Sequence, residues 1–153
     1  MNHSHSRILA TVVIIFCSVA LIAYQLSQFA SDTSLSHWHS GAKGYRVALE
    51  QQKSSGKAIA LFFHTDWCAS CKNLRETVLS SNKFSDYVGD KIPVKINPEM
   101  GLDEKRIADN YGVIGYPTFL IITNNHRTIT PIGSRRNTTP DQFIASCNKA
   151  LQT

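Results

Sequence analysis

A second pair of metal ligands is the most informative thing this 153-residue sequence lacks. It has four cysteines and six histidines, but of the cysteines only Cys68 and Cys71 stand close together. Cys17 lies in an apolar run, Cys147 in a stretch read as the last helix, and the histidines are scattered. A structural zinc site takes four ligands, normally as two such pairs, so half a site is present and no metal is expected. Acidic residues are also short, 11 against 16 Lys and Arg, for a formal net charge of +5. That balance can mark a nucleic-acid partner, yet the basic residues are dispersed and no aromatic and basic constellation accompanies them. The charge reads as a solvated basic surface with Arg135-Arg136 its densest point, and no nucleic acid is expected. Repeats and low-complexity tracts are missing too, and the length suits one compact domain with an appendage.

The appendage lacks charge altogether. Residues 8–24, from Ile8 to Tyr24, are continuously uncharged and approach the minimum length that spans a bilayer. Ser18-Val19-Ala20 resembles a small-x-small cleavage site, but Leu21-Ile22-Ala23-Tyr24 carries the apolar run past it, so the segment is a signal or an anchor and is read here as an uncleaved anchor. Arg7 precedes the run, and Gln25 to Ala42 contains no Lys or Arg. The positive-inside rule then keeps residues 1–7 cytoplasmic and turns the C-terminal domain outward, toward the periplasm if the cell is Gram-negative. The expected location is the inner membrane, in a single pass. Residues 25–40 are polar and Ser-rich and read as a tether. His3, His5 and His37-Trp38-His39 are read as incidental.

Redox chemistry enters at Trp67-Cys68-Ala69-Ser70-Cys71-Lys72. The preceding Ala58-Ile59-Ala60-Leu61-Phe62-Phe63 is short, apolar and aromatic, the pattern of a strand covered on both faces. Leu74 and Val78 follow at i and i+4, so Cys68 opens a helix and Cys71 lies one turn along. Unpaired N–H groups and the positive dipole end lower a thiol pKa at a helix start, and only the thiolate attacks a disulfide. Cys68 is therefore the candidate nucleophile and Cys71 the resolver. A disulfide closing so short a loop at an accessible site belongs to the labile kind rather than the structural kind. Cys17 and Cys147 are read as small apolar residues without a redox role.

Trp67-Cys68-x-x-Cys71-Lys72 after a strand, with Gly115-Tyr116-Pro117-Thr118 before a later one, resembles the thioredoxin family from about Gly41 to the C-terminus. The resemblance implies a cis Pro117 facing the dithiol, whereas cis is a minority state for X-Pro bonds in general. It also implies that Trp67, Tyr116 and Pro117 contact the client, the Tyr116 backbone pairing with an extended client segment. The sequence departs from the family at Phe62, where a buried aspartate is usual. Lys95 matches the lysine that accompanies that aspartate, which leaves Asp66, Glu76 or water to accept the Cys71 proton; Asp66 and Lys95 are the supporting residues. Ala69-Ser70 replaces the usual Gly-Pro. The Asp-Trp-Cys-x-x-Cys-Lys form is similar to the C-terminal periplasmic domain of thiol:disulfide interchange proteins of the DsbD kind.

The remaining pattern alternates helix and strand. Tyr45 to Gln52 reads as the first helix, Ile92 to Ile96 as a strand with its proline at a start or edge, and Leu102 to Tyr111 as an amphipathic helix ended by Gly112. Thr118 to Thr123 is a buried strand, turned by Asn124 to Arg127 into a hairpin partner at Thr128 to Ile132. Thr139, Pro140 and Asp141 start the last helix, with Phe143, Ile144, Cys147 and Leu151 on its apolar face. The expected fold is an α/β thioredoxin-like three-layer sandwich, a central mixed sheet with helices on both faces at residues 41–153. The expected function is a membrane-tethered thiol-disulfide oxidoreductase that needs no cofactor beyond its own disulfide. With no cationic histidine between the cysteines to hold the thiolate, reduction of protein disulfides is favoured, with electrons from a membrane donor protein as the resemblance implies. The alternative is a peptide-binding or chaperone-like module that keeps the cysteines as a relic, a reading to which the missing aspartate gives weight.

Overall fold

The structure, a computed structural model, describes residues 12–23, 35–123 and 137–152. Its contacts divide the chain into two units, Met1–Ser36 and His37–Thr153. In the first, residues 12–23 form a helix, α1, whose side chains are exposed. No helix among the described residues is long and apolar enough to cross a membrane. The ends of the apolar run, His3, His5, Arg7, Arg135-Arg136 and the hairpin expected at residues 124–132 lie outside the described residues.

The second unit runs β1 (His39–Ser40), α2 (Gly41–Ser55), β2 (Ile59–Phe63), α3 (Ala69–Leu74), a wider helical turn at Arg75–Leu79, α4 (Asn82–Val88), β3 (Ile92–Ile96), α5 (Leu102–Asn110), β4 (Thr118–Ile122) and α6 (Pro140–Leu151). The sheet order is β1-β3-β2-β4. β1 and β2 lie parallel to β3, and β4 pairs antiparallel with β2. Every residue of β2 and β4 is buried, as a sheet covered on both faces requires. Strand side chains alternate between faces, and the two faces hold separate cores. Ile59, Leu61 and Phe63 pack with Leu120, Ile122, Ala48 of α2 and Ala108 of α5. On the other face Phe62 pairs in register with Phe119. Phe119 in turn meets Phe84 of α4 edge-on at 5.8 Å and Phe143 of α6 at 5.2 Å. The mixed sheet between two helical layers matches the expected fold.

Several element boundaries differ from the sequence reading, each for a tertiary reason. His39–Ser40, assigned to the tether, forms β1 by pairing with Val94 and Lys95, and Trp38 beside it is buried against Phe84. Because β1 begins only at His39, opposite Val94, no strand residue among the described residues pairs with Pro93 on that side of β3, so a proline is tolerated in a strand that is internal by order. α2 starts at Gly41 rather than Tyr45, although Ser40 gives no side-chain cap. The cap comes from α5, where Glu104 Oε1 accepts the Ala42 N–H at 2.8 Å. Gly101 makes room for that carboxylate, since a Cβ there would stand 2.6 Å from Glu104 Oε2. α4 is an element the sequence pattern does not predict; Ser81 caps it by accepting the Phe84 N–H at 3.2 Å. α6 starts as expected, Thr139 and Gln142 closing a reciprocal capping box.

Candidate active site

The site begins where β2 runs out. Beyond Phe63 the His64 N–H donates to Ile96 O at 3.0 Å, and a turn closes as the Cys68 N–H donates to Thr65 O at 3.3 Å. Cys68 is the N-cap of α3, its backbone still extended. Its Sγ accepts the Cys71 N–H at 3.1 Å. The two cysteines form a disulfide with their Cα atoms 5.2 Å apart, and both are buried, at 6% and 3% exposure. In the dithiol form the Cys71 N–H aimed at Cys68 Sγ favours a thiolate at that residue.

Trp67, just before the nucleophile candidate, is 70% exposed. Its Nε1–H points at both carboxylate oxygens of Glu99, at 2.9 and 3.1 Å. Its ring meets Tyr116 edge-on, with centroids 6.4 Å apart. The Tyr116–Pro117 bond is cis, as the family resemblance implied, and Thr118 Oγ1 donates to Gly115 O at 2.7 Å behind it. The structure thus joins Trp67, the residue before Cys68, to Tyr116 of the Tyr116–Pro117 loop. Beside them opens a cavity of about 630 Å³ whose walls include Glu99, Leu102, Val113 and Tyr116. Met100, Leu102 and Ile114 are exposed.

The supporting residues are placed differently. Asp66 is exposed in the turn. Glu76 faces solvent and pairs with Lys72 at 4.0 Å. Lys95 is half-buried on β3, in register with Phe62. No Asp or Glu is buried among the described residues; Phe62 is buried and stacks on His64 at 5.3 Å. Two site residues escaped the sequence reading. Glu99 carries no local signal, because its contact with Trp67 spans β3. Thr65 is buried with its hydroxyl lacking a hydrogen-bond partner among the described residues. Those residues also offer no cluster of three or more His, Cys, Asp or Glu side chains arranged to hold a metal ion. Of the remaining cysteines, Cys17 is exposed on α1 and Cys147 is buried, burial pushing the Cys147 thiol up to about 12.

The family model for the thioredoxin-like domain matches residues 45–146. Among curated relatives, the thiol:disulfide interchange protein DsbD of Ralstonia nicotianae is 24% identical over 109 residues, covering 69% of this chain and only 17% of that protein. The disulfide bond reductase DsbH of Chlamydia pneumoniae is 27% identical over 101 residues, covering 60% of this chain and 61% of the relative. Among solved structures, a DsbH oxidoreductase superposes with a TM-score of 0.65 at 24% identity, over 75% of this chain and 83% of that one. The oxidised C-terminal domain of DsbD from Neisseria meningitidis gives 0.64 at 19% identity, over 74% of this chain and 98% of that one. With its matched domain, its mixed sheet between helical layers and its Cys68-x-x-Cys71 disulfide, the chain belongs to the thioredoxin-like family and is homologous to DsbD and DsbH.

Proposed function

We propose that the chain is a membrane-tethered thiol-disulfide oxidoreductase that reduces protein disulfides. The observation that carries the reading is the Cys68–Cys71 disulfide at the start of α3, with the Cys71 N–H on Cys68 Sγ. In the reduced protein the Cys68 thiolate attacks one sulfur of a client disulfide, and a client thiolate leaves. The resulting mixed disulfide is attacked at Cys68 by the Cys71 thiolate. A second client thiolate leaves, so two electrons pass to the client and the Cys68–Cys71 bond reforms. Trp67, Tyr116 and Pro117 are the client-contact residues, Asp66 and Lys95 the supporting ones. No cofactor besides the disulfide takes part. Resetting the pair needs two electrons from a dithiol, and a membrane electron donor of the DsbD kind is the partner proposed. The names of the DsbD and DsbH relatives support exchange with partner proteins.

The proposed anchor is residues 8–24, whose uncharged composition supports a single pass through the inner membrane. Arg7 stays cytoplasmic and the thioredoxin-like domain faces the periplasm. The lack of a buried carboxylate among the described residues favours a second reading, a peptide-binding module with little turnover. One experiment separates the two: the full chain in detergent is equilibrated in glutathione or dithiothreitol buffers, and its Cys68–Cys71 disulfide is quantified by alkylation and mass spectrometry. A potential of about −270 mV, thioredoxin's value, supports the reductase. A value of about −120 mV reverses the direction, and failure to cycle leaves the binding module.

A further inference from the structure

We infer that Glu99 is a positioning residue that sets the Trp67 indole as a fixed wall of the client groove; the inference rests on the oxidoreductase reading above. Trp67 immediately precedes Cys68 and is mostly exposed, so the core does not hold its ring. Two contacts do. The indole N–H is held between both oxygens of Glu99, at 2.9 and 3.1 Å, and the ring lies against the edge of Tyr116. Glu99 is itself held from the sheet. Asn97, buried directly after β3, accepts the Glu99 N–H on Oδ1 at 3.0 Å and the Met100 N–H on its carbonyl at 3.1 Å.

A line of constraint therefore runs from β3 through Asn97 and Glu99 to the residue beside the nucleophile. A ring pinned at its N–H, with Tyr116 at its edge, presents one orientation to a client segment lying along Tyr116–Pro117. A ring released from Glu99 has to be ordered each time a client binds, and that ordering weakens binding. A small disulfide reaches the sulfur without lying along the indole, so it feels the loss far less. Glu99 in this way tunes the preference for protein disulfides over small ones.

The test compares Glu99→Ala and Glu99→Gln with the unsubstituted full chain, pre-reduced and freed of reductant. Each is mixed in single turnover with insulin as the protein disulfide and with 5,5′-dithiobis(2-nitrobenzoate) as the small one. Glu99→Ala is expected to lower the ratio of the insulin to the small-disulfide rate constant about five-fold. Glu99→Gln keeps an acceptor for the indole N–H and is expected to hold that ratio within about two-fold of the unsubstituted chain. Equal loss toward both probes, no loss toward either, or a Gln variant as impaired as the Ala variant overturns the inference. An unsubstituted chain that neither probe oxidises overturns the oxidoreductase reading, a result distinct from all of these.

Discussion

Replacing Phe62 with aspartate restores the residue usual in the thioredoxin family, and the structure argues that this chain will not accept it. Phe62 is 1% exposed, pairs with Phe119 across the sheet and stacks on His64. Truncating a buried phenylalanine costs about 3–5 kcal/mol, and aspartate fills the space no better than a small residue. The carboxylate adds a second cost. Burial raises its pKa above the unfolded value of about 3.9, and at about 1.4 kcal/mol per unit the loss reaches about 4 kcal/mol by pH 7 if nothing pairs with it. Lys95, the register partner on β3, and His64, stacked on Phe62, are placed to reduce this second cost; neither can refill the aromatic space. The total is therefore at least about 3 kcal/mol and at most about 9, a large share of a domain stability of about 5–15 kcal/mol. Because the carboxylate pKa is raised in the folded state, its contribution is lost as pH rises above about 4 and recovered on acidification. Guanidinium unfolding of the full chain, followed by near-ultraviolet circular dichroism, compares Phe62→Asp with Phe62→Leu, which keeps an apolar side chain and is expected to cost less than Phe62→Asp. If Phe62→Asp at pH 7 is no less stable than Phe62→Leu, the view of Phe62 as a packing residue is refuted.

Other substitutions test other parts of the structure. Cys71→Ser leaves the attack by Cys68 intact and removes resolution, so a mixed disulfide with insulin should accumulate on non-reducing gels, whereas Cys68→Ser should give none. Glu104→Ala removes the cap on the Ala42 N–H and should cost about 0.5–2 kcal/mol in denaturant unfolding, with the Cys68–Cys71 potential unchanged. Phe84→Ala, which empties the centre of the ring cluster formed with Trp38, Tyr87, Phe119 and Phe143, should cost about 3–5 kcal/mol; calorimetry should find the melting temperature lowered by at least about 9 °C. Burial raises the Cys147 thiol from 9.0 to about 12, so the fold favours the protonated form. Stability is unaffected by this group below about pH 9 and falls as pH rises toward 12, by at most about 1.4 kcal/mol per pH unit. Urea midpoints at stepped alkaline pH should show that slope, and Cys147→Ala should reduce it. Some slope should remain, because burial also raises Tyr87 and Tyr111.

What the sequence alone determined about this protein is what neighbouring residues decide. The apolar run into Cys68 makes a covered strand because its side chains alternate into two cores. Cys68 and Cys71 meet because three positions along a helix start is one turn. Thr139, Pro140 and Asp141 mark the start of α6 through the chemistry of its own first turn. The tertiary structure decided what depends on distant partners. α2 reaches back to Gly41 because Glu104 arrives from another helix, and β1 exists because Val94 and Lys95 offer it hydrogen bonds. α4 is not predicted by the sequence pattern; the ring cluster around Phe84 makes so short a helix worth forming, since helices of this length are marginal in water. The cis state of the Tyr116–Pro117 bond follows no local rule, because the intrinsic preference is trans by less than about 1 kcal/mol and packing can reverse it. The hold of Glu99 on Trp67 lies furthest from the sequence: it joins residues on either side of β3 that share no pattern, and only the sheet brings them within hydrogen-bond reach.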